Sequence, residues 1–167
     1  IYKSLASAFD TAERQAGTNI GSAYVNADEL TDRAIEWTES GSDDTAEFLW
    51  VHYMDVHHPY LPPERYQRAF REEPISQRRA IQLRRKFIED PEDITEDEFE
   101  DIVDLYDAEI RFTDAEIERL VDTVTDEWDD FDLLLTSDHG EEFLEHGEFS
   151  HHAKFYDEVI HVPMVYR

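Results

Sequence analysis

The hydrophobic pattern divides the chain into helical stretches, short strands and two polar loops. From residue 28 to 39, Leu30, Ala34, Ile35 and Trp37 recur near helical spacing, and Ser40-Gly-Ser-Asp-Asp44 follows as a turn, which predicts a helix ending there. Residues 47–54 read as a strand. The next segment, residues 55–63, contains Pro59, Pro62 and Pro63, which forbid helix and hold the backbone extended, so a stiff loop carries His57 and His58. Residues 64–87 predict a helix in two pieces broken at Pro74, followed by an acidic connector over residues 89–98. Thr95 is a plausible N-cap, and Phe99, Ile102, Val103, Tyr106, Ile110, Ile117, Leu120, Val121, Val124 and Trp128 form the stripe of one long amphipathic helix that must lie against a sheet. A buried-looking run at residues 131–135 predicts a strand to Thr136. A polar loop, a short helix near residues 152–158 and a last strand over residues 160–166 complete a βαβ-like alternation. There is no internal repeat.

Composition narrows this picture. The 167 residues, 40% hydrophobic and 13% aromatic, suffice for a core and fit one domain or a fragment of a larger one. The chain opens at Ile1 without Met and closes on a strand-like run, so both ends are expected to be cut, with 1–167 a single partial domain. The formal charge is −27, and Lys3, Lys86 and Lys154 are the only lysines among 15 basic residues, the pattern of a halophile's proteome. At 1 M salt the Debye length falls to roughly 3 Å, so such a surface no longer repels itself. The acidity therefore concerns solubility, and it disfavours nucleic acid, whose binding needs a basic stripe. With no Cys, disulfides and thiolate sites are excluded for these residues, and the redox compartment stays undetermined. No apolar run approaches the ~20 residues of a membrane span, and no signal-like segment opens the chain. Cytoplasm in a high-salt cell is the favoured location, with secretion left open.

Candidate chemistry concentrates in residues 136–152. Thr136-Ser-Asp-His-Gly-Glu141 follows a predicted strand, where open α/β sheets place their sites, and Asp138 and His139 can converge on one divalent cation if Gly140 bends the backbone. The alternative is an Asx-type turn beside a surface histidine. His139, His146, His151 and His152 put four histidines in fourteen residues, more than a solvated loop requires. His57 lies just past a separate predicted strand and can reach the same crevice, although a histidine capping a rigid turn would look the same. His52 and His161 read as hydrogen-bonded core histidines. The segment from Arg65 to Lys86 holds 8 of the 15 basic residues and reads as a counterweight to the acidic connector, with no site assigned.

At these residues the chain resembles a sulfatase of the alkaline-phosphatase-like superfamily. Residues 49–63 resemble that family's strand and His-x-Pro loop, and residues 105–114 its long helix. Thr136-Ser-Asp-His-Gly-Glu141, Glu145-His-Gly147, Tyr156-Asp-Glu158 and Val162-Pro163 resemble its C-terminal block. The resemblance covers about residues 28–167. It implies an α/β sandwich with a mixed, largely parallel sheet flanked by helices, here lacking the N-terminal strands. It also implies hydrolysis of a small sulfate ester by a formylglycine made from Cys or Ser, beside a divalent cation that is usually calcium. By the same resemblance Asp138 and His139 match cation ligands, and His57 matches the histidine that contacts the sulfuryl group and assists the leaving oxygen. His151 falls where relatives carry a Lys or His on the sulfate oxygens, with His146 a further catalytic neighbour.

One departure is large. The family's nucleophile motif, Cys or Ser, then x-Pro or Ala-x-Arg, is nowhere in these 167 residues, and neither is the early strand with paired aspartates. The expectation is therefore the later portion of a longer enzyme, inactive by itself, whose exposed sheet edges make a homo-oligomer conceivable. Two rivals stand beside it: a phosphoester, phosphonate or phosphoglycol-processing relative with the same metal loop, and a non-catalytic interaction domain that has kept the fold.

Overall fold

The computed structural model describes residues 25–41, 47–151 and 154–167. Its spine is helix α4 (Glu96–Glu127), and α1 (Ala27–Glu39), α2 (Glu64–Gln67) and α3 (Gln77–Glu89) all pack against it. At 32 residues, α4 is about 48 Å long. Its start is fixed by a reciprocal capping box: the Glu98 N–H donates to Thr95 Oγ1 at 3.3 Å, and the Thr95 N–H donates to Glu98 Oε2 at 3.2 Å. Pro74 lies between α2 and α3, but α2 already ends at Gln67, so residues 68–73 are not the helix expected up to that proline; Ser76 caps α3 by accepting the Arg79 N–H.

The two halves of α4 serve different cores. Its N-terminal half buries Ile102 and Leu105 against Leu83 and Phe87 of α3 and against Tyr60, Ile75 and Phe149. Fully burying side chains such as Phe87 and Leu83 contributes about 1.5–3 kcal/mol each, so this cluster anchors the loops that carry the histidines. The C-terminal half packs Leu120 and Val124 on Ala34 of α1, and Trp37 meets Trp128 edge to face at 6.4 Å. Ile110, counted in the apolar stripe, is 42% exposed.

The sheet departs from expectation. Among the described residues it consists of β1 (Leu134–Thr136) and β2 (Met164–Tyr166), paired antiparallel with Leu135 opposite Val165, so these two strands form no parallel βαβ unit. The Thr136 hydroxyl donates to the Pro163 carbonyl at 3.1 Å, which ties the return of the chain to the end of β1. Residues 47–54 run without a strand partner, because no neighbouring strand lies beside them among the described residues. Phe48, Trp50, Leu134, Met164 and Tyr166 are exposed, and so are His52 and His161, which are therefore not the core histidines expected. The last strand is shorter than 160–166: Ile160 ends α5 (Asp157–Ile160), and residues 161–163 lie outside any helix or strand. The predicted helix over 152–158 starts later than expected: residues 154–156 are not helical, and 152–153 lie outside the described residues.

Two basic residues of α3 act as the sequence suggests: Lys86 pairs with Glu98 of the acidic connector at 2.6 Å and Arg79 with the same carboxylate at 3.3 Å. Arg71, in the segment between α2 and α3, pairs instead with Asp101 of α4 at 2.8 Å, and together these pairs clamp α3 and that segment to the first turns of α4. The Lys86 ammonium holds the Glu98 carboxyl down at about 2.

Candidate functional site

Two loops from distant parts of the chain build the site. The first, residues 55–63, is fastened at both ends by carboxylates, one half-buried and one buried. Asp55 Oδ1 accepts the Ala27 N–H at the start of α1 at 2.8 Å, and Glu109 Oε1, from the middle of α4, accepts the Leu61 N–H at 2.5 Å. Between them the His58–Pro59 peptide is cis, and Tyr60 is buried against Tyr106 at 5.2 Å. Burial raises the Asp55 carboxyl and pushes the Glu109 carboxyl up to about 8, against the pull of the Leu61 N–H.

The second loop, residues 137–151, depends on two devices. Gly140 does not supply a left-handed bend, for its φ is not positive. Its N–H donates to the Val159 carbonyl at 2.7 Å, and a Cβ there would sit 2.1 Å from the Glu158 carbonyl oxygen. The glycine is required because α5 presses on the loop. Glu142, fully buried, then gathers the loop around itself: it accepts the N–H groups of His146 at 3.1 Å and Glu148 at 3.2 Å, and it pairs with Lys154 at 2.5 Å. Burial alone would raise the Glu142 carboxyl, but the Lys154 ammonium and the two N–H donors win and hold it below the ordinary range. Ser150 takes a positive φ of 82°, which carries its hydroxyl to His58.

These loops bring His57, His58, His139 and His151 together. The His57 ring lies 4.5 Å from that of His58 and 5.2 Å from that of His151, and His139 stacks on His151 at 3.9 Å. Each ring is oriented by an identified partner. His57 Nδ1 donates to the His58 carbonyl at 2.7 Å and His139 Nδ1 to the Gly140 carbonyl at 2.8 Å. His151 Nδ1 donates to Glu141 Oε1 at 3.0 Å, and the second oxygen of that buried carboxylate accepts from Tyr60 at 2.9 Å. Burial lowers the His57 pKa, against the pull of its hydrogen bond to the His58 carbonyl.

The predicted residues are not all equal here. His57, His139 and His151 converge, and Asp138 adjoins them with its Oδ1 3.8 Å from His139 Nε2. His146 turns elsewhere: it stacks on Tyr156 at 3.6 Å and meets Glu158 at 3.3 Å. His152 lies outside the described residues. Sequence reasoning left Tyr60, Glu141, Glu142, Ser150 and Lys154 without roles and dismissed Arg84, whose Nε donates to His58 Nδ1 at 3.3 Å.

A cation can be assigned donors by the same geometry. Two ligands bonded at about 2.0–2.4 Å to one ion stand roughly 3–4 Å apart, a range that the Asp138–His139 separation meets. The His139 Nδ1–H bond to a carbonyl also leaves Nε2 as the ligating nitrogen, the usual outer-shell arrangement. His57, His58 and His151 bring ring nitrogens within 4.8 Å of one another, but His58 fits a metal poorly. Its Nδ1 accepts from Arg84 and its Nε2–H donates to Ser150, at 3.0 Å.

The chain is similar in fold to the crystal structure of the candidate sulfatase yidJ from Bacteroides fragilis, with a TM-score of 0.63 and 24% identity over 84% of this chain. It spans only 30% of the length of that protein. No curated protein matches it. The family model for sulfatases matches residues 2–167, nearly every residue present, and on that match the chain belongs to the sulfatase family.

Proposed function

We propose that the chain is part of a larger catalytic domain that hydrolyses small sulfate esters with a divalent cation, most often calcium in this family. The observation that supports this best is the convergence of His57 with His139 and His151, from two loops far apart in the sequence, beside the carboxylate of Asp138. Asp138 and His139 would hold the cation, which when bound supplies Lewis-acid polarisation and a template for sulfate oxygens. The nucleophile proposed is a formylglycine outside these 167 residues.

The roles of this chain's own residues follow from their tethers. His57, fixed through Nδ1 to the His58 carbonyl, contacts the sulfuryl group and gives a proton from Nε2 to the departing ester oxygen. A sulfate ester beside that ring offsets the effect of burial, since a nearby anion favours the charged imidazole. His151, in its doubly protonated cationic form, donates through Nε2–H to sulfate oxygens and stabilises charge that grows as the ester bond breaks. His146, fixed on Tyr156 and Glu158, orients the loop from its outer side rather than meeting the substrate.

Peptide mass spectrometry of the full-length protein from its source tests this reading. A Cys or Ser converted to formylglycine is the expected result. An unmodified Thr or Ser at the nucleophile position would move the function to phosphate or phosphonate esters.

A further inference from the structure

We infer that Glu141 is a positioning residue of this site: its carboxylate holds His151 by the Nδ1–H, is braced by Tyr60, and so sets Nε2 as the nitrogen that meets the reacting anion. The inference rests on the sulfate-ester reading for its chemistry and on independent geometry for the hold itself.

A carboxylate out of water needs partners for its oxygens, and burying one without them is costly. The Glu141 side chain is 4% exposed and has one partner on each oxygen, His151 at 3.0 Å and Tyr60 at 2.9 Å. The two partners come from different loops. Tyr60, 1% exposed and two residues past His58, belongs to the loop of His57, whereas His151 ends the loop of Asp138 and His139. Glu141 thus fixes the distance between the two loops that carry the site. Burial and the neighbouring Glu141 carboxylate keep the Tyr60 phenol far above its ordinary pKa, so it remains a donor.

An imidazole has two nitrogens, and a carboxylate on one of them settles both tautomer and ring angle. Stacking of His139 on the His151 face restricts the remaining tilt. Glu141 itself acts only through His151. It lies just past Gly140, whose contact with α5 fixes the backbone from which the carboxylate reaches inward.

The test uses the full-length protein with three variants, Glu141→Ala, Glu141→Gln and Tyr60→Phe. Turnover of an aryl sulfate is measured alongside ¹⁵N NMR of the histidine rings at about pH 8.5, above the ordinary imidazole range. His151 is assigned by its loss in His151→Asn. Wild type is expected to show His151 as the Nδ1–H tautomer. Glu141→Ala should lower kcat about 10–100-fold with KM changed by less than about threefold, and His151 should become a tautomer mixture. Glu141→Gln, which keeps one acceptor oxygen, should recover most of kcat and the Nδ1–H tautomer. Tyr60→Phe should lower kcat less than Glu141→Ala does. An Nε2–H tautomer in wild type overturns the inference whether or not any variant folds. A kcat unchanged in Glu141→Ala, or lost equally in Glu141→Gln, also overturns it. If wild type turns over no sulfate ester, the substrate reading fails separately, and the tautomer still decides whether Glu141 holds His151.

Discussion

Glu109→Gln in the full-length protein is expected to make stability less dependent on pH. Glu109 is 4% exposed, its Oε1 anchors the Leu61 N–H, and its Oε2 has no hydrogen-bond partner among the described residues. Burial raises its carboxyl from the ordinary 4.5 to about 8, a difference worth roughly 5 kcal/mol between the charged and neutral forms. Between those two values the folded chain binds a proton that the unfolded chain has released. Stability from this group is therefore fully present below about pH 4.5 and is lost as pH rises towards about 8. From about pH 5.5 to about pH 8.5 the loss amounts to roughly 3 kcal/mol. Glutamine keeps an oxygen for Leu61 and cannot ionise, so urea unfolding at those two pH values should show Glu109→Gln gaining about 3 kcal/mol on wild type as pH rises. Its amide leaves a donor where Oε2 was, at a cost of about 1–3 kcal/mol, but that cost is the same at both pH values. A stability difference that does not change with pH would refute a buried, proton-carrying Glu109.

Three further substitutions probe the second loop in the full-length protein. Lys154→Met leaves the fully buried Glu142 without its cation and should cost about 3–5 kcal/mol in chemical unfolding; a loss below about 1 kcal/mol would mean the pair does not close the loop. Gly140→Ala drives a methyl group into the Glu158 carbonyl and should destabilise by about 1–3 kcal/mol while lowering turnover through the adjacent His139, and wild-type melting with full turnover would contradict the close contact. Asp138→Asn should raise the cation concentration for half-maximal turnover at least about tenfold, since even outer partners of metal ligands have effects of that size, and an unchanged requirement would remove Asp138 from the cation site.

Local signals in the sequence carried much of the helical architecture. Thr95 with Glu98 three residues later marked the start of α4, and Pro74 marked the gap between α2 and α3, because caps and prolines act within a few residues. The strands were less legible. Residues 47–54 have the composition of a strand, but a strand exists only with a partner, and the antiparallel pairing of β1 with β2 is a long-range fact. At the site, Asp138, His139 and His151 stood out because four histidines crowd into fourteen residues beside turn glycines, and His57 because a proline-rich loop after a predicted strand carries it. Glu141 and Glu142 did not, being two of 42 acidic residues, most of which belong on the solvated surface. What distinguishes them is burial, which follows from the packing of Phe149 and Tyr60 and not from their own neighbours in sequence. Gly140 was legible as necessary, but the reason is the backbone of α5 pressed against it and not a turn conformation.

The most direct test of the account is release of inorganic sulfate and of inorganic phosphate from matched aryl esters by the full-length protein, before and after chelation, in wild type and in His57→Asn. The account predicts sulfate release that chelation abolishes and added calcium restores, with His57→Asn slower by about 10²–10⁴-fold. Phosphate release alone, or sulfate release indifferent to both chelator and His57, would contradict it.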